Sequence, residues 1–408
     1  MEVVHERCAG LDVHQHSVVA SVRLAADGKV AQEVRTFATT TVGLLALCDW
    51  LAAHGCTHAA MESTGVYWKP VWHVLEPSVT LVLANAMHIR NVPGRKTDVN
   101  DAMWIADLLA HGLIRARFVP PTPVQELRDL TRTRKQLVRE IAQHTQRIQK
   151  TLEDATINIT GVIRNVRGTS GRALLEALVA GETNPERLVA LTSGRLKASR
   201  SPLVEALRGR VRAHHRCLLK LHLAQIDALT LAVRAVEARG GETLTPLHER
   251  AHLLTTMPGI SETVAHVIVS AIGIDLSRFP TAAHLISWAG FCPRNEERAG
   301  KRRSTRVRKG APWLKTTLVQ AAWAAARKKD SSLRAQFLRI KSRRGPMQAI
   351  VAGAASMLTA AYHILRDGVP YRDLTGSYFD SRDRTTLTKR LIRRLADLGV
   401  HVDIRSAA

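Results

Sequence analysis

The sequence has 408 residues, of which 45% are apolar and 23% are charged, so it can build hydrophobic cores and is not a disordered polycation. Its 59 Lys and Arg outnumber its 35 Asp and Glu, which gives a formal net charge of +24 and points to a polyanionic partner such as nucleic acid. Five scattered cysteines without a CxxC pair argue against a disulfide framework or a zinc knuckle and fit a reducing cytosol. The start of the chain lacks a secretory signal pattern, and the longest weakly polar run, 349–365, is short and Ala-rich. We therefore expect a buried helix there, no membrane partner and a cytoplasmic location.

The positive charge is confined to part of the chain. Residues 1–120 hold 10 Lys and Arg against 11 Asp and Glu, whereas residues 121–408 carry a net charge of +25. This asymmetry predicts that the later residues bind the polyanion and that the first third has a different task.

The first third alternates strand and helix patterns. Asp27-Gly28 is a hairpin signal between two strands, and Leu44, Leu47 and Leu51 have helical spacing. Strands are predicted at 8–12, 17–24, 30–37, 58–62 and 79–84, and helices at 41–53, 67–75 and 98–111. This order of elements resembles the ribonuclease-H-like fold.

The remainder of the chain reads as helical. After the prolines at 120, 121 and 123, apolar residues on heptad spacing predict a coiled-coil-like helix, and a second long helix is predicted over 202–239. The expected core positions of the two helices are Leu127, Leu130, Leu137, Ile141, Ile148 and Leu152, and Leu218, Leu221, Ile226, Leu229, Val233 and Val236. Two such helices returning on each other suggest an antiparallel stalk, which often mediates dimers.

Beyond the stalk, the turn Met257-Pro-Gly-Ile resembles a helix–hairpin–helix element, whose Gly259 region would offer backbone N–H groups to a phosphate. The predicted fold class is therefore α/β plus all-α, with a ribonuclease-H-like (RuvC-like) N-terminal domain. The predicted divisions are 1–119 for this domain, 120–245 for the helical middle, 246–366 for a helical C-terminal domain and 367–408 for a basic tail.

Four carboxylates stand where such a fold would bring them together. Asp12 ends the first strand and Glu62 ends the fourth, while Asp98 and Asp101 share one helix face at i and i+3. Clustered carboxylates repel one another unless they bind a hard cation, and Mg²⁺ prefers oxygen ligands and phosphates. We predict an Mg²⁺ site for phosphodiester chemistry here, and interpret Asp107 as an ordinary helix residue.

These segments carry a specific resemblance. Gly10-Leu-Asp-Val-His, Met61-Glu-Ser-Thr-Gly-Val-Tyr-Trp and Lys96-Thr-Asp-Val-Asn-Asp-Ala resemble the DEDD-type insertion-sequence transposases, as does the run from Met257 to Lys315. The resemblance implies a Mg²⁺-dependent DNA transposase or recombinase that binds element ends, target DNA and a structured guide RNA. It also implies a homo-oligomer, dimer or tetramer, working at the bacterial nucleoid.

The same resemblance implies a serine nucleophile in the second domain, which forms a transient phosphoserine link to DNA. That serine sits five residues after the proline of the Cys-Pro motif, and Arg298 occupies the position here. Arginine stays protonated and cannot attack a phosphate. An inactive copy, a substitute serine at Ser304, a misaligned motif and cleavage by metal-activated water are the open alternatives.

Basic residues close to both regions are candidate phosphate contacts. Lys69 and Lys96 flank the predicted carboxylate ligands in sequence. A dense run of Lys and Arg follows Pro293, and its charge suits a phosphate backbone; the alternative is a solvated basic loop that binds nothing. The candidates in that run are Arg294, Lys301, Arg302, Arg303, Arg306, Arg308 and Lys309. Two other functions compete with the transposase: a RuvC-like metal-dependent junction nuclease and a catalytically inactive DNA/RNA-binding remnant.

Overall fold

The structure is a computed structural model in which the chain divides by its internal contacts into two units, 1–120 and 121–408. It describes residues 2–26, 28–62, 65–84, 101–114, 116–158, 163, 165–192, 200–243, 247–293, 296–298, 301–304, 306–382 and 384–400. The first unit is mixed α/β and the second is almost wholly helical. The finer predicted division into four parts stays a prediction.

A six-stranded sheet forms the centre of the first unit, with the strand order β3-β2-β1-β4-β5-β6. The strands are β1 (Arg7–Val13), β2 (Ser17–Ala26), β3 (Lys29–Ala38), β4 (His58–Glu62), β5 (Thr80–Ala84) and the two-residue β6 (Ala116–Arg117). The first three form an antiparallel meander, and β4 and β5 continue parallel to β1. This arrangement is compatible with the predicted ribonuclease-H-like fold.

Helices cover both faces of this sheet. Successive residues of a strand point to opposite faces, and apolar residues on each face pack against helices. Ala9, Leu11 and Met61 lie in a core shared with α1 (Thr41–Ala53) and α2 (Trp68–Leu75). Cys8 and Ala60 point the other way, into a smaller core with α3 (Asp101–Ala110). The observed limits of β4 and α1 match the predicted ones.

A long antiparallel helical hairpin begins the second unit. Helices α4 (Thr122–Asp154) and α8 (Ala213–Thr243) run in opposite directions, since Arg134 pairs with Glu237 at 2.6 Å and Asp154 with His215 at 2.8 Å. The short helices α5 (Thr169–Ala180), α6 (Pro185–Ala190) and α7 (Arg200–Ala206) pack beside them. Coiled-coil packing between α4 and α8 stays a prediction.

Two expectations for the second helix were wrong. The predicted helix over 202–239 is broken between α7 and α8, because the chain turns around the end of α4: Arg210 N donates to Ala155 O at 2.8 Å, and a side chain at Gly209 would collide with that same carbonyl. Leu218 and Leu221 are 42% and 53% exposed, and the neighbouring residues Leu219 and Leu223 fill the core instead.

Two histidines meet across this hairpin. His144 Nδ1 and His222 Nδ1 lie 3.2 Å apart, so one of these nitrogens carries the hydrogen and donates a hydrogen bond to the other. His222 is buried. Burial lowers the pKa of His222, and the nearby His144 and Arg147 lower it further.

We expect the hairpin to lose stability in mild acid. Because the pKa of His222 is lower in the folded state, the unfolded chain binds the proton more tightly, so stability falls as the pH drops below about 6.5. His222→Leu should flatten this part of the pH profile of thermal melting, whereas His73→Leu on exposed His73 of α2 should leave it unchanged. Equal pH profiles for His222→Leu and the parent would contradict this role for the pair.

The C-terminal core surrounds α14 (Pro346–Asp367), which packs with α9 (His248–Thr255), α10 (Glu262–Ile272), α11 (Ala282–Ala289), α12 (Pro312–Ala325) and α13 (Ser332–Arg344). The short strands β7 (Glu296–Arg298) and β8 (Lys301–Ser304) form a hairpin between α11 and α12, and α15 (Tyr378–Arg382) and α16 (Arg384–Asp397) follow. By length and composition α14 could cross a membrane, yet its residues fill this core, as the sequence predicted.

Candidate functional site

Three of the four predicted acids lie at one edge of the sheet in the first unit. Asp12 is next to the end of β1, Glu62 ends the adjacent parallel strand β4, and Asp101 begins α3. The register pairs Leu11 with Met61, so the next residues of the two strands, Asp12 and Glu62, are neighbours along the edge. Asp98 and Lys96 lie outside the described residues.

The same three acids also share one face of the sheet. Alternation along β1 puts Asp12 on the side of Gly10, and α3 crosses the sheet directly over Gly10. A side chain at Gly10 would collide with the carbonyl oxygen of Ala102 and the amide nitrogen of Ala106. This close approach sets the first turn of α3, and with it Asp101, beside the ends of the two strands.

One further side chain joins this edge. His14 Nε2 lies 3.0 Å from Asp12 Oδ2, so the histidine contacts a predicted metal ligand directly, although its own side chain is largely exposed. Lys69 lies in the first turn of α2, which follows the same carboxyl end of β4, and its side chain is half-buried. A phosphate contact by Lys69 stays a prediction.

A half-buried ion pair joins α3 to β2, and it was not predicted from the sequence. Arg23 on β2 is almost fully buried, and its Nε donates to Asp107 Oδ1 at 2.8 Å; Gln32 donates to the same oxygen at 3.2 Å. Asp107 is therefore more than an ordinary helix residue: it anchors α3 two turns beyond Asp101. No local signal could have shown this, because 84 positions separate the two partners.

We expect Asp107→Ala to lower the free energy of unfolding by about 2–3 kcal/mol, since it leaves the Arg23 guanidinium buried without its carboxylate. The estimate lies below that for a fully buried pair because the Asp107 side chain is 42% exposed. Chemical denaturation measures the loss. The double variant Arg23→Met/Asp107→Ala should recover part of it, and a double variant as unstable as the single one would contradict the assignment.

The predicted nucleophile position lies in a β-hairpin of the second unit that the sequence did not predict. Arg298 ends β7 and pairs with Lys301 at the start of β8, while Ser304 pairs with Glu296 at the far end. A register shift between Glu296 and Glu297 marks a bulge on β7. Arg298 and Ser304 thus occupy opposite ends of the hairpin, and the identity of the nucleophile stays a prediction.

The base of this hairpin is held by a lysine that sequence reasoning also missed. Lys315 Nζ, in the first turn of α12, donates to Gly290 O at 2.8 Å and to Arg308 O at 3.0 Å. Pro293 and Val307, which flank β7 and β8 in sequence, form an isolated antiparallel β-bridge. Burial lowers the pKa of Lys315. Its two carbonyl contacts tie both ends of the hairpin segment to α12.

The remaining predicted phosphate contacts divide into three groups. Arg306, Arg308 and Lys309 are exposed beside the hairpin; Lys301, Arg302 and Arg303 are placed by their backbone in β8; Arg294 lies outside the described residues. Gly259 packs against the backbone of α12, where a side chain would collide with the Ala321 carbonyl. This contact accounts for the glycine without a phosphate, so both its binding role and the helix–hairpin–helix stay predictions.

Comparison with known proteins matches both regions to one family. A transposase model of the DEDD IS110 type matches residues 9–157, and the model of the transposase IS116/IS110/IS902 family matches residues 251–338. The first match contains Asp12, Glu62, Asp98 and Asp101, and the second contains the β7–β8 hairpin. The chain belongs to the IS110 family of DEDD transposases.

Individual relatives agree with this membership. The chain is 31% identical over 140 residues to the insertion element IS110 uncharacterized 43.6 kDa protein of Streptomyces coelicolor, covering 34% of each chain. It is 32% identical to the pilin gene-inverting protein of Moraxella bovis, covering 31% of this chain and 39% of that one. The match to the insertion element IS900 uncharacterized 42 kDa protein of Mycobacterium paratuberculosis is 26% identical and covers 73% and 81%. The first two alignments thus span little more than a third of those relatives.

This IS110-family chain has a second group of possible metal ligands, at the end of its helical hairpin. The ligand atoms of Asp154, His214 and His215 lie within 4.8 Å of one another. His215 Nδ1 accepts a hydrogen bond from Arg212 N at 3.1 Å, so its Nε2 carries the proton and donates to Asp154. Nitrogen ligands do not favour Mg²⁺, so the group is not a second site for that ion. Its His215–Asp154 hydrogen bond joins α4 to α8, and we call the group the histidine latch.

Proposed function

We propose that this protein is an insertion-element transposase that cuts and exchanges DNA strands in an Mg²⁺-dependent reaction guided by a structured RNA. The observation that carries the proposal is the set Asp12, Glu62 and Asp101, which shares one face and one edge of the sheet. Family membership also supports the proposal, since the two family models match the two regions of the chain in the expected order. A cytoplasmic, nucleoid-associated location and a dimer or tetramer belong to the same proposal.

The donor set at the sheet edge fits Mg²⁺. Three carboxylates supply hard oxygen ligands, and the lack of a side chain at Gly10 lets the first turn of α3 approach the strand that carries Asp12. Asp12, Glu62 and Asp101, together with Asp98, would hold the ion. Bound there, Mg²⁺ would lower the barrier to phosphodiester cleavage by stabilising charge on the attacking and leaving oxygens.

The chain's own residues supply substrate positioning. Lys69 at the start of α2 would contact the phosphates flanking the cleaved bond, and His14 would hold the Asp12 carboxylate in place through its 3.0 Å contact. The exposed cations Arg306, Arg308 and Lys309 would bind the DNA backbone beside the β7–β8 hairpin. These roles follow from charge and placement.

The family's covalent step is altered in this chain. With Arg298 where the serine is expected, we propose that a phosphoserine link is impaired and that Arg298 contributes a phosphate contact instead. The name of the Moraxella relative, a pilin gene-inverting protein, supports strand exchange as the reaction type. A RuvC-like junction nuclease would need no second domain, and the match over residues 251–338 favours the transposase over it.

A strand-exchange assay tests the proposal. Purified full-length protein is combined with DNA carrying the element ends, a target duplex, the noncoding RNA transcribed beside the gene, and Mg²⁺. Recombinant joints support the transposase. Cut junctions without joints would identify the nuclease, and binding without any product would identify an inactive remnant.

A further inference from the structure

A second basic surface lies on helix α13 and the turn before it, and it contains none of the residues of the candidate sites described above. Residues 327–344 hold eight Lys and Arg against one Asp, a net charge of +7 that is more than a quarter of the +24 of the whole chain. All but Arg334 of these cations are exposed. We call this set the α13 surface; it comprises Arg327, Lys328, Lys329, Arg334, Arg339, Lys341, Arg343 and Arg344.

The carboxylates that the structure describes do not neutralise this charge. The nearby Asp330 uses its Oδ1 to accept a hydrogen bond from Gly376 N at 3.2 Å. Within the residues that the structure describes, none of the eight cations forms an ion pair. The guanidinium of Arg339 and the ammonium of Lys341 lie over the rings of Phe379 and Phe337, at 5.6 and 5.9 Å from the ring centroids, and these contacts leave the positive charge in place.

The helix dipole accounts for only part of the surface. Cations in the last turn of α13, such as Arg343 and Arg344, each stabilise a helix by about 0.3–1 kcal/mol. Lys328 and Lys329 lie between the C-terminal end of α12, whose dipole favours their charge, and the start of α13, whose dipole opposes it. Arg339, which lies before the last turn of α13, is not explained by either dipole.

The cations are arranged in two rows. Leu333 and Phe337 bury one side of α13 in the core, and the opposite side is a ridge with Leu338, which is 48% exposed, and exposed Ser342. By helical spacing, Arg339 and Arg343 lie along one flank of this ridge, at i and i+4. Arg334 and Lys341 lie along the other flank, at i and i+7.

This geometry matches duplex DNA. A helix with its side chains is about 10–12 Å across, and the major groove of B-DNA is about 12 Å wide with a phosphate backbone on each side. We propose that α13 enters the major groove of duplex DNA, with the Leu338–Ser342 ridge facing the base edges and each row of cations contacting one backbone. The major groove of duplex RNA is too deep and narrow to admit it.

The binding would be independent of base sequence. The Ser342 hydroxyl donates to Arg339 O within the helix, and Leu338 has no polar atom, so the ridge offers little for reading bases. The choice of DNA as the bound polyanion rests on the proposed function. The surface would therefore hold flanking duplex while the chemistry proceeds elsewhere.

Salt-dependent binding of full-length protein to a 20-base-pair DNA duplex, without Mg²⁺, tests the proposal. Arg339→Gln/Lys341→Gln/Arg343→Gln should reduce the slope of log K against log salt by about 0.9 per lost phosphate contact, about 3 in total. The charge-preserving variant Arg339→Lys/Lys341→Arg/Arg343→Lys should keep the parental slope. A matched control removes three exposed cations from the helical hairpin, Arg139→Gln/Lys150→Gln/Lys220→Gln, and should change the slope less.

A single substitution tests the same surface without the triple variant. Leu338→Glu adds an acid to the exposed ridge and should weaken DNA binding at least tenfold while the melting temperature stays within a few degrees. An unchanged slope in the triple variant, or an equal loss in the hairpin control, overturns the proposal. Equal losses on an RNA duplex of the same sequence overturn the assignment to the DNA major groove. Since no cleavage is measured, failure here is distinguishable from failure of the proposed function.

Discussion

Asp12→Asn is expected to lower the rate of DNA strand cleavage by about 10²–10³-fold, because it replaces a charged oxygen ligand at the carboxylate edge with a neutral amide. The substitution keeps the size of the side chain, and Asp12 lies at the rim of the sheet rather than in its core, so folding should be retained. Cleavage of DNA carrying the element ends, measured in single turnover, gives the rate.

The matched control is Asp49→Asn. Asp49 is an exposed acid on α1, which covers the opposite face of the same sheet, so it tests the loss of one carboxylate without loss of the predicted ligand. We expect its cleavage rate to stay within twofold of the parent. A rate for Asp12→Asn within threefold of the parent would exclude the carboxylate edge as the metal site.

Metal binding gives a readout that is separate from activity. Titration with Mn²⁺, followed by electron paramagnetic resonance, should show weaker binding in Asp12→Asn and unchanged binding in Asp49→Asn. Substitution of the histidine latch, His215→Ala, should leave Mn²⁺ binding unchanged as well, because the latch shares no residue with the predicted ligand set. A loss of Mn²⁺ binding in the latch variant alone would place the ion there instead.

The sheet and the carboxylate edge could be predicted because their signals are local. Alternating apolar residues and the Asp27-Gly28 turn predict the meander, and acids at strand ends meet wherever parallel strands are neighbours. The predicted limits of α1 and β4 needed no correction for the same reason. These signals indicate which face a residue occupies, and the strand order of the ribonuclease-H-like fold, in which the first and fourth strands are neighbours, was also needed to group Asp12 with Glu62.

The features that were missed depend on contacts between distant residues. The β7–β8 hairpin reads Glu-Glu-Arg and Lys-Arg-Arg-Ser, a composition with low strand propensity, and pairing between its strands overrides that propensity. The break before α8 depends on the Ala155 carbonyl meeting Gly209, and the role of Asp107 depends on Arg23. Helical periodicity alone could not distinguish Leu218 from Leu219, since one residue of rotation exchanges the buried and exposed positions.

Restoring the serine at the predicted nucleophile position is expected to produce the largest gain. Arg298→Ser should form a covalent DNA–protein adduct, detected as a slower band under denaturing conditions, where the parent forms none. The hydroxyl would attack the phosphate, and the released DNA strand would leave with its oxygen, so the link conserves the energy of the phosphodiester bond.

Ser304 provides the decisive comparison, because it lies at the other end of the same hairpin. If Ser304 already acts as the nucleophile, the parent should form the adduct and Ser304→Ala should abolish it, with Arg298→Ser adding little. If Arg298 marks a lost nucleophile, the adduct should appear only in Arg298→Ser and should persist in Arg298→Ser/Ser304→Ala. An adduct in none of the four proteins, with cleavage intact, would indicate attack by water, and the hairpin would then serve to bind DNA rather than to react with it.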